Sequence, residues 1–175
     1  IVLLDNDQQK LKTYGEISRE LARRLDPELT FEVTSDARAA LTGVDYIITT
    51  IRAGGDAGRL FDERTCLAHG VLGQETTGAG GFAMAIRSVP TLVYYCTLAR
   101  EVANPGHLIF NFTNPSGIIT QALRSKGFDN VYGICDAPSG FIKQLEEILD
   151  IPYGTLDIEC YGLNHLSWFR NAKVN

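Results

Sequence analysis

The chain has 175 residues, 45% hydrophobic and 21% charged, which are the proportions of one ordinary globular domain able to bury roughly 70% of its unfolded surface. Its formal net charge is -5. With no basic stripe, no nucleic-acid partner is expected, and no apolar run is expected to be long enough to cross a bilayer. The four cysteines, Cys66, Cys96, Cys135 and Cys160, form neither a CxxC pair nor zinc-finger spacing. Three of them lie in apolar or β-like surroundings, where buried free thiols are usual. That pattern points to a reducing, cytoplasmic compartment, and no signal peptide is visible.

Ile1-Val-Leu-Leu-Asp5 is an apolar run ending in an acid, the pattern of a buried parallel strand. Asp7 is placed to cap a helix that carries Leu11, Ile17, Leu21 and Leu25 at helical spacing, with Pro27 just past its end. Phe31 to Thr34 alternates as a strand, Ser35-Asp36 suits the cap of a short helix, and Val44 to Ile51 is again apolar and β-branched. Strand and helix in alternation predict a Rossmann-like α/β fold, a parallel sheet with flanking crossover helices. Asp5 then has two readings. It is either a turn residue or the acid that binds the adenine ribose at the end of the second strand of a dinucleotide fold. The second reading requires a glycine-rich turn about 20 residues earlier, ahead of Ile1. The central strand of the usual order 3-2-1-4-5-6 would be missing with it. Nothing would then join the pair Ile1–Asp5 and Phe31–Thr34 to Val44–Ile51, and the chain is expected to be a piece of a longer enzyme.

Arg52-Ala-Gly-Gly-Asp-Ala-Gly-Arg59 follows the third strand. Its glycines permit a sharp turn or close approach to a ligand, and its arginines suit phosphate or carboxylate. The alternative is a flexible surface loop. Gly73-Gln-Glu-Thr-Thr-Gly-Ala-Gly-Gly-Phe82 sets Glu75 among glycines and polar residues. A helix is expected to resume through Met84 to Val102, with a kink or restart at Pro90.

Leu108 to Phe112 reads as a buried strand that ends in Thr113-Asn-Pro-Ser-Gly117, followed by a helix through Ile118 to Leu123. Asn111 and Asn114 therefore sit at a strand's carboxyl end, where ligands collect in open α/β sheets. Pro115 suits the first helical turn. Asn130 to Cys135 is the next strand, and Cys135-Asp-Ala-Pro138 opens a helix to about Leu149. Asp136 is either its N-cap or a functional acid. Cys135 at that helix start is the best placed of the cysteines to act as a ligand or nucleophile. Ile158 to Gly162 is a further strand, followed by His165. A histidine alone is more often a core residue, but with a thiolate it suits a transition metal.

Four segments together, Gly73–Phe82, Asn111–Gly117, Cys135–Pro138 and Tyr161–Leu166, resemble the family-4 glycoside hydrolases, in the right order and across the chain. The NAD-dependent members of that family are an exception to the two-carboxylate rule for glycosidases. The resemblance implies a Rossmann domain that binds NAD, and one divalent metal, usually Mn²⁺. It implies that hydride leaves sugar carbon 3 for NAD and that a tyrosine removes the proton on carbon 2. The aglycone is then eliminated, water adds, and hydride returns. It makes Cys135 and His165 the metal ligands and Asp136 the proton donor to the leaving group. Glu75 is the acid that raises the tyrosine's basicity. Arg59, Asn114 and Asp136 are substrate-binding, and Asp5 and Asn111 bind NAD. The catalytic tyrosine is expected beyond Asn175, so this chain by itself is expected to be inactive.

The domain division expected is a partial NAD-binding domain over 1–150 and the start of a catalytic, substrate-binding domain over 151–175. The substrate implied is a phosphorylated disaccharide or aryl glucoside, handled by a homodimer or homotetramer with no membrane partner. The long segments are closest to the 6-phospho-β-glucosidase branch, while the Cys-Asp pair is typical of 6-phospho-α-glucosidases; an α-galactosidase of the same family is a further alternative. Outside the family, a lactate/malate-type dehydrogenase or a non-catalytic NAD-binding module shares the fold.

Overall fold

The computed structural model describes residues 1–175. The chain divides into two compact units, Ile1–Ile47 with Tyr94–His107 and Ile48–Val93 with Leu108–Asn175.

In the first unit β1 (Val2–Leu4) leads into α1 (Gln8–Leu25) and returns in β2 (Glu32–Thr34), which pairs with β1 in parallel. Asp7 caps α1 by accepting from the Gln9 and Lys10 amides at 2.9 and 3.1 Å, which satisfies donors that have no partner within the helix. Gly15 lets α1 lie close on the sheet, since a Cβ there would stand 2.8 Å from Val33 Cγ1. Of the apolar stripe on α1 only Leu11 is buried; Ile17, Leu21 and Leu25 are 55–75% exposed. A sheet of two strands is too narrow to cover them. α2 (Ala37–Leu41) follows, capped by Asp36 as its sequence predicts.

β1 and β2 form a sheet of their own, and β3 (Tyr46–Thr49) belongs to a second one. The expectation that nothing joins the first pair to the third strand is met. After β3 come α3 (Gly55–Ala68), α4 (Gly78–Val102), β4 (Leu108–Asn111), α5 (Ser116–Ser125), β5 (Val131–Gly133) and α6 (Ala137–Leu149). The second sheet has the order β3-β4-β5, with β4 and β5 parallel. The chain ends in an antiparallel hairpin, β6 (Leu156–Leu163) and β7 (Leu166–Val174). The parallel α/β expectation is therefore correct.

Several elements depart from their sequence reading. α4 runs unbroken through Pro90. The missing hydrogen bond and ring clash cost about 3 kcal/mol in a helix interior. Here the proline ring lies on the exposed side, while Ser88, Leu92, Cys96 and Ala99 are buried along the other. α4 also has the length and mean hydropathy to cross a bilayer, against the expectation that no such run exists. Its Arg87 is ion-paired to Asp62, and Ser88, Leu92, Cys96 and Ala99 are buried along one side of it. The Arg52–Arg59 stretch is not a loop throughout, because α3 begins at Gly55. The left-handed backbone at Gly54 (φ 84°) and Gly55 (φ 60°) makes that start possible. Pro115 stands one residue before α5, at its N-cap. β7 is a strand beyond those the sequence pattern predicts.

Candidate active site

Cys135 follows β5, and Asp136 occupies the N-cap position of α6. Asp136 makes no side-chain capping bond; only its carbonyl is used, accepting from Gly140 N at 2.8 Å and Ser139 Oγ at 3.0 Å. The simple N-cap reading thus gives way to an exposed carboxylate free to act. His165 is at the tip of the two-residue turn between β6 and β7, with φ 59°, a left-handed conformation that histidine adopts more readily than most non-glycine residues.

Cys135, Asp136 and His165 line one cavity of about 990 Å³, with Ser116, Asn164 and Tyr161 also on its wall. The hairpin is held over α6 by Phe169, whose ring lies 4.5 Å from that of Phe141, centroid to centroid. The buried Glu146 of α6 adds a bond from Leu156 N at 2.9 Å. A strand end, a helix start and a hairpin tip, distant in sequence, thus converge. The thiol and imidazole suit a divalent transition metal. No group of three or more His, Cys, Asp or Glu side chains gathers in the chain to hold one. Cys135 and His165 would hold a metal only with substrate oxygens or water completing its shell. On the same wall, Asn164 Oδ1 is a buried acceptor with no hydrogen-bond partner.

Glu75 and Arg59 are joined in a separate cluster. Arg52 Nη1 donates to Glu75 Oε2 at 2.6 Å, and Arg59 Nε lies 3.4 Å from the same oxygen. Arg59 Nε also bonds Glu63 at 2.8 Å, which raises the Arg59 pKa, with the Glu75 charge adding to the effect. Both contacts run through Nε, so the terminal nitrogens of Arg59 remain open to a ligand. The glycines around Glu75 serve close packing. A Cβ at Gly73 would collide with the Glu63 carbonyl, at Gly80 with that of Gln74 and at Gly81 with that of Thr76. Gln74 Oε1 takes the Thr76 and Thr77 amides at 2.6 and 2.5 Å and so closes the turn.

Asp62 is buried and bonds Arg87 through both oxygens, which holds the Arg87 pKa up. Arg87 Nε reaches the Ala53 carbonyl at 3.3 Å, and a Cβ at Gly54 would stand 3.0 Å from it. Gly54, just before α3, thus makes room for Arg87. Sequence reasoning assigned no role to Arg87 or Asp62, and Arg52 was read only as a general anion binder. Each pairs across 23 to 25 positions, a separation that no local pattern reports.

Asn111 is wholly buried and its side chain is fully engaged. Oδ1 accepts from Thr49 Oγ1 at 2.9 Å and Thr113 N at 3.2 Å; Nδ2 donates to Thr120 Oγ1 at 3.1 Å. It fixes the turn that carries Asn114, which is half-buried with an unbonded side-chain amide. Asp5 lies in the first unit, where Oδ1 accepts from Asp7 N at 2.9 Å; all the other predicted site residues lie in the second.

The family model described as Family 4 glycosyl hydrolase matches residues 1–151. Phospho-alpha-glucosidase PagL of Clostridium acetobutylicum is 36% identical over 173 residues, covering 97% of this chain and 38% of that protein. 6-phospho-beta-glucosidase BglT of Thermotoga maritima is 35% identical over 176 residues, covering 99% and 41%. A structure of the Thermotoga maritima 6-phospho-beta glucosidase, solved with manganese, NAD⁺ and glucose-6-phosphate, superposes with a TM-score of 0.90 at 33% identity. It covers 99% of this chain and 42% of that one. The chain thus spans about two fifths of the length of the curated relatives it matches.

Proposed function

The chain belongs to the family 4 glycosyl hydrolases, and from that premise we propose that it is part of a 6-phosphoglucosidase dependent on NAD and a divalent metal, Mn²⁺ in the first place. The observation that carries this reading is the convergence of Cys135, Asp136 and His165 on one cavity. NAD, when bound, supplies reversible hydride acceptance, and the metal supplies Lewis acidity at adjacent sugar oxygens.

The chain's own residues supply position and proton chemistry. Cys135 and His165 hold the cation. Asp136, whose side chain makes no capping bond, stands beside them and in its carboxylic acid form gives its proton to the leaving group. Arg59 presents its open terminal nitrogens to an anionic sugar, and Asn114 its free amide to a hydroxyl. Glu75 supplies negative charge next to the base. Asp5 takes the adenine ribose. Asn111 acts on the NAD side through the turn it braces. We place the boundary between the NAD-binding part and the substrate-binding part near Ile151, where parallel α/β structure gives way to the antiparallel hairpin.

For the anomer we assign the 6-phospho-β-glucosides, on the Gly73–Phe82, Asn111–Gly117 and Tyr161–Trp168 segments. The second reading, 6-phospho-α-glucosides, is favoured by the Cys135-Asp136 pair. Relatives of both kinds match this chain to nearly the same degree, so identity does not separate them. The test is release of nitrophenol from the α- and β-anomers of nitrophenyl glucoside 6-phosphate by the complete enzyme, with and without NAD and Mn²⁺. Cleavage of the β-anomer that needs both supports the assignment. Cleavage of the α-anomer alone moves it to the other branch. Cleavage of neither, with hydride transfer to a simple hydroxy acid, overturns it in favour of a dehydrogenase.

A further inference from the structure

The Glu75 side chain is mostly shielded, at 17% exposed, and its two oxygens differ. Oε2 receives Arg52 Nη1 at 2.6 Å and has Arg59 Nε at 3.4 Å. No bond reaches Oε1. With the side chain mostly shielded and Oε2 held by a charge-assisted bond, Oε1 is left as the acceptor without a partner. We infer that Arg52 is a positioning residue, whose hold on Glu75 Oε2 leaves Oε1 as the acceptor presented to the catalytic base.

Arg52 is itself held in place. Its other contact is Asp56 at 3.6 Å, on a side chain 96% exposed, and such a surface pair holds little. The firmer constraint is on its backbone. Ile51 N bonds Thr113 Oγ1 at 2.9 Å, and Gly55 N bonds the Arg52 carbonyl at 2.9 Å. Arg87, locked on the buried Asp62, bonds the Ala53 carbonyl. The backbone on both sides of Arg52 is thus pinned before its guanidinium reaches across to Glu75. Arg59 differs: it is anchored on Glu63 and keeps its terminal nitrogens open, as a substrate-binding arginine requires. The two arginines of one motif therefore divide the work.

The inference rests on the reading that Glu75 assists the base that removes the proton on sugar carbon 2. Its test compares Arg52→Ala and Arg52→Lys with the wild type in the complete enzyme. Loss of aim is expected to lower kcat by about ten- to a hundredfold while KM stays within about twofold. The isotope effect from deuterium at carbon 2 should rise as proton removal becomes slower, and Arg52→Lys, which keeps a donor, should recover part of the rate. A KM increase at unchanged kcat would make Arg52 a substrate ligand and overturn the inference, as would an unchanged kcat. A second readout does not depend on turnover: amide hydrogen exchange at Glu75, Thr76 and Thr77 should be faster in Arg52→Ala and near wild type in Arg52→Lys. If the wild type cleaves neither anomer, the functional reading fails. The exchange data then decide the Arg52–Glu75 hold, which unchanged exchange would refute.

Discussion

Replacing Asn111 by alanine would test the polar core beneath the candidate site. Truncation removes the acceptor of Thr113 N at 3.2 Å and leaves that amide in a residue 1% exposed. A buried unsatisfied backbone donor costs about 1–3 kcal/mol. Thr49 Oγ1 loses its 2.9 Å bond but keeps Thr113 Oγ1 at 3.3 Å, and the half-buried Thr120 hydroxyl turns to water. Those two losses together add about 1 kcal/mol. The expected destabilisation is about 3 kcal/mol. Asn111→Asp adds a sign. Its second oxygen would face the Thr113 and Ser116 carbonyls, each now 3.4 Å from Nδ2. The buried acid should therefore keep its proton to a higher pH than in the unfolded chain. Its stability relative to wild type should be best at low pH and fall as pH rises through the carboxylate range. Urea unfolding of the complete protein, followed by fluorescence and repeated across pH, measures both. A loss under about 1 kcal/mol for Asn111→Ala, or no pH slope for Asn111→Asp, would show that the network does not hold the turn.

Cys135→Ser and His165→Ala should each weaken Mn²⁺ binding at least about tenfold, a loss typical even of residues behind the ligands, with NAD binding retained. Calorimetric titration reads both, and equal loss of metal and NAD would mark the residues as structural. Arg59→Ala should raise the KM for a phosphorylated sugar far more than it changes NAD binding, and an unchanged KM would remove it from the substrate site. Burial pushes the Cys96 thiol up to about 11. Its contribution to stability should be intact below its ordinary value of 9.0 and be lost as pH rises from there through about 11. Alkylation under native conditions at pH 8 should spare Cys96 and modify the exposed Cys160; rapid labelling of Cys96 would contradict the buried site.

What the sequence determined by itself was local or periodic. Asp7 and Asp36 announce their helices because a cap acts within three residues. The apolar runs at Leu108 and Val131 announce strands, and α6 ends at the expected Leu149. Cys135 and His165 stand out in the sequence only as parts of whole motifs, since neither residue alone says more than thiol or polar histidine. The tertiary structure decided the rest, because the deciding partners are far away in the chain. Pro90 stays inside a helix because its ring faces outwards and the opposite side is packed. Gly73, Gly80 and Gly81 let carbonyls pass, and Gly54 admits Arg87. Asn111, legible as a ligand at a strand end, proves a buried hub once Thr49 is brought 2.9 Å from it across 62 positions. Arg52 acquires a specific role only when folding sets Glu75 against it. Capping and periodicity act over a few residues and can be read along the chain, whereas ion pairs and burial depend on which distant segments the fold makes neighbours.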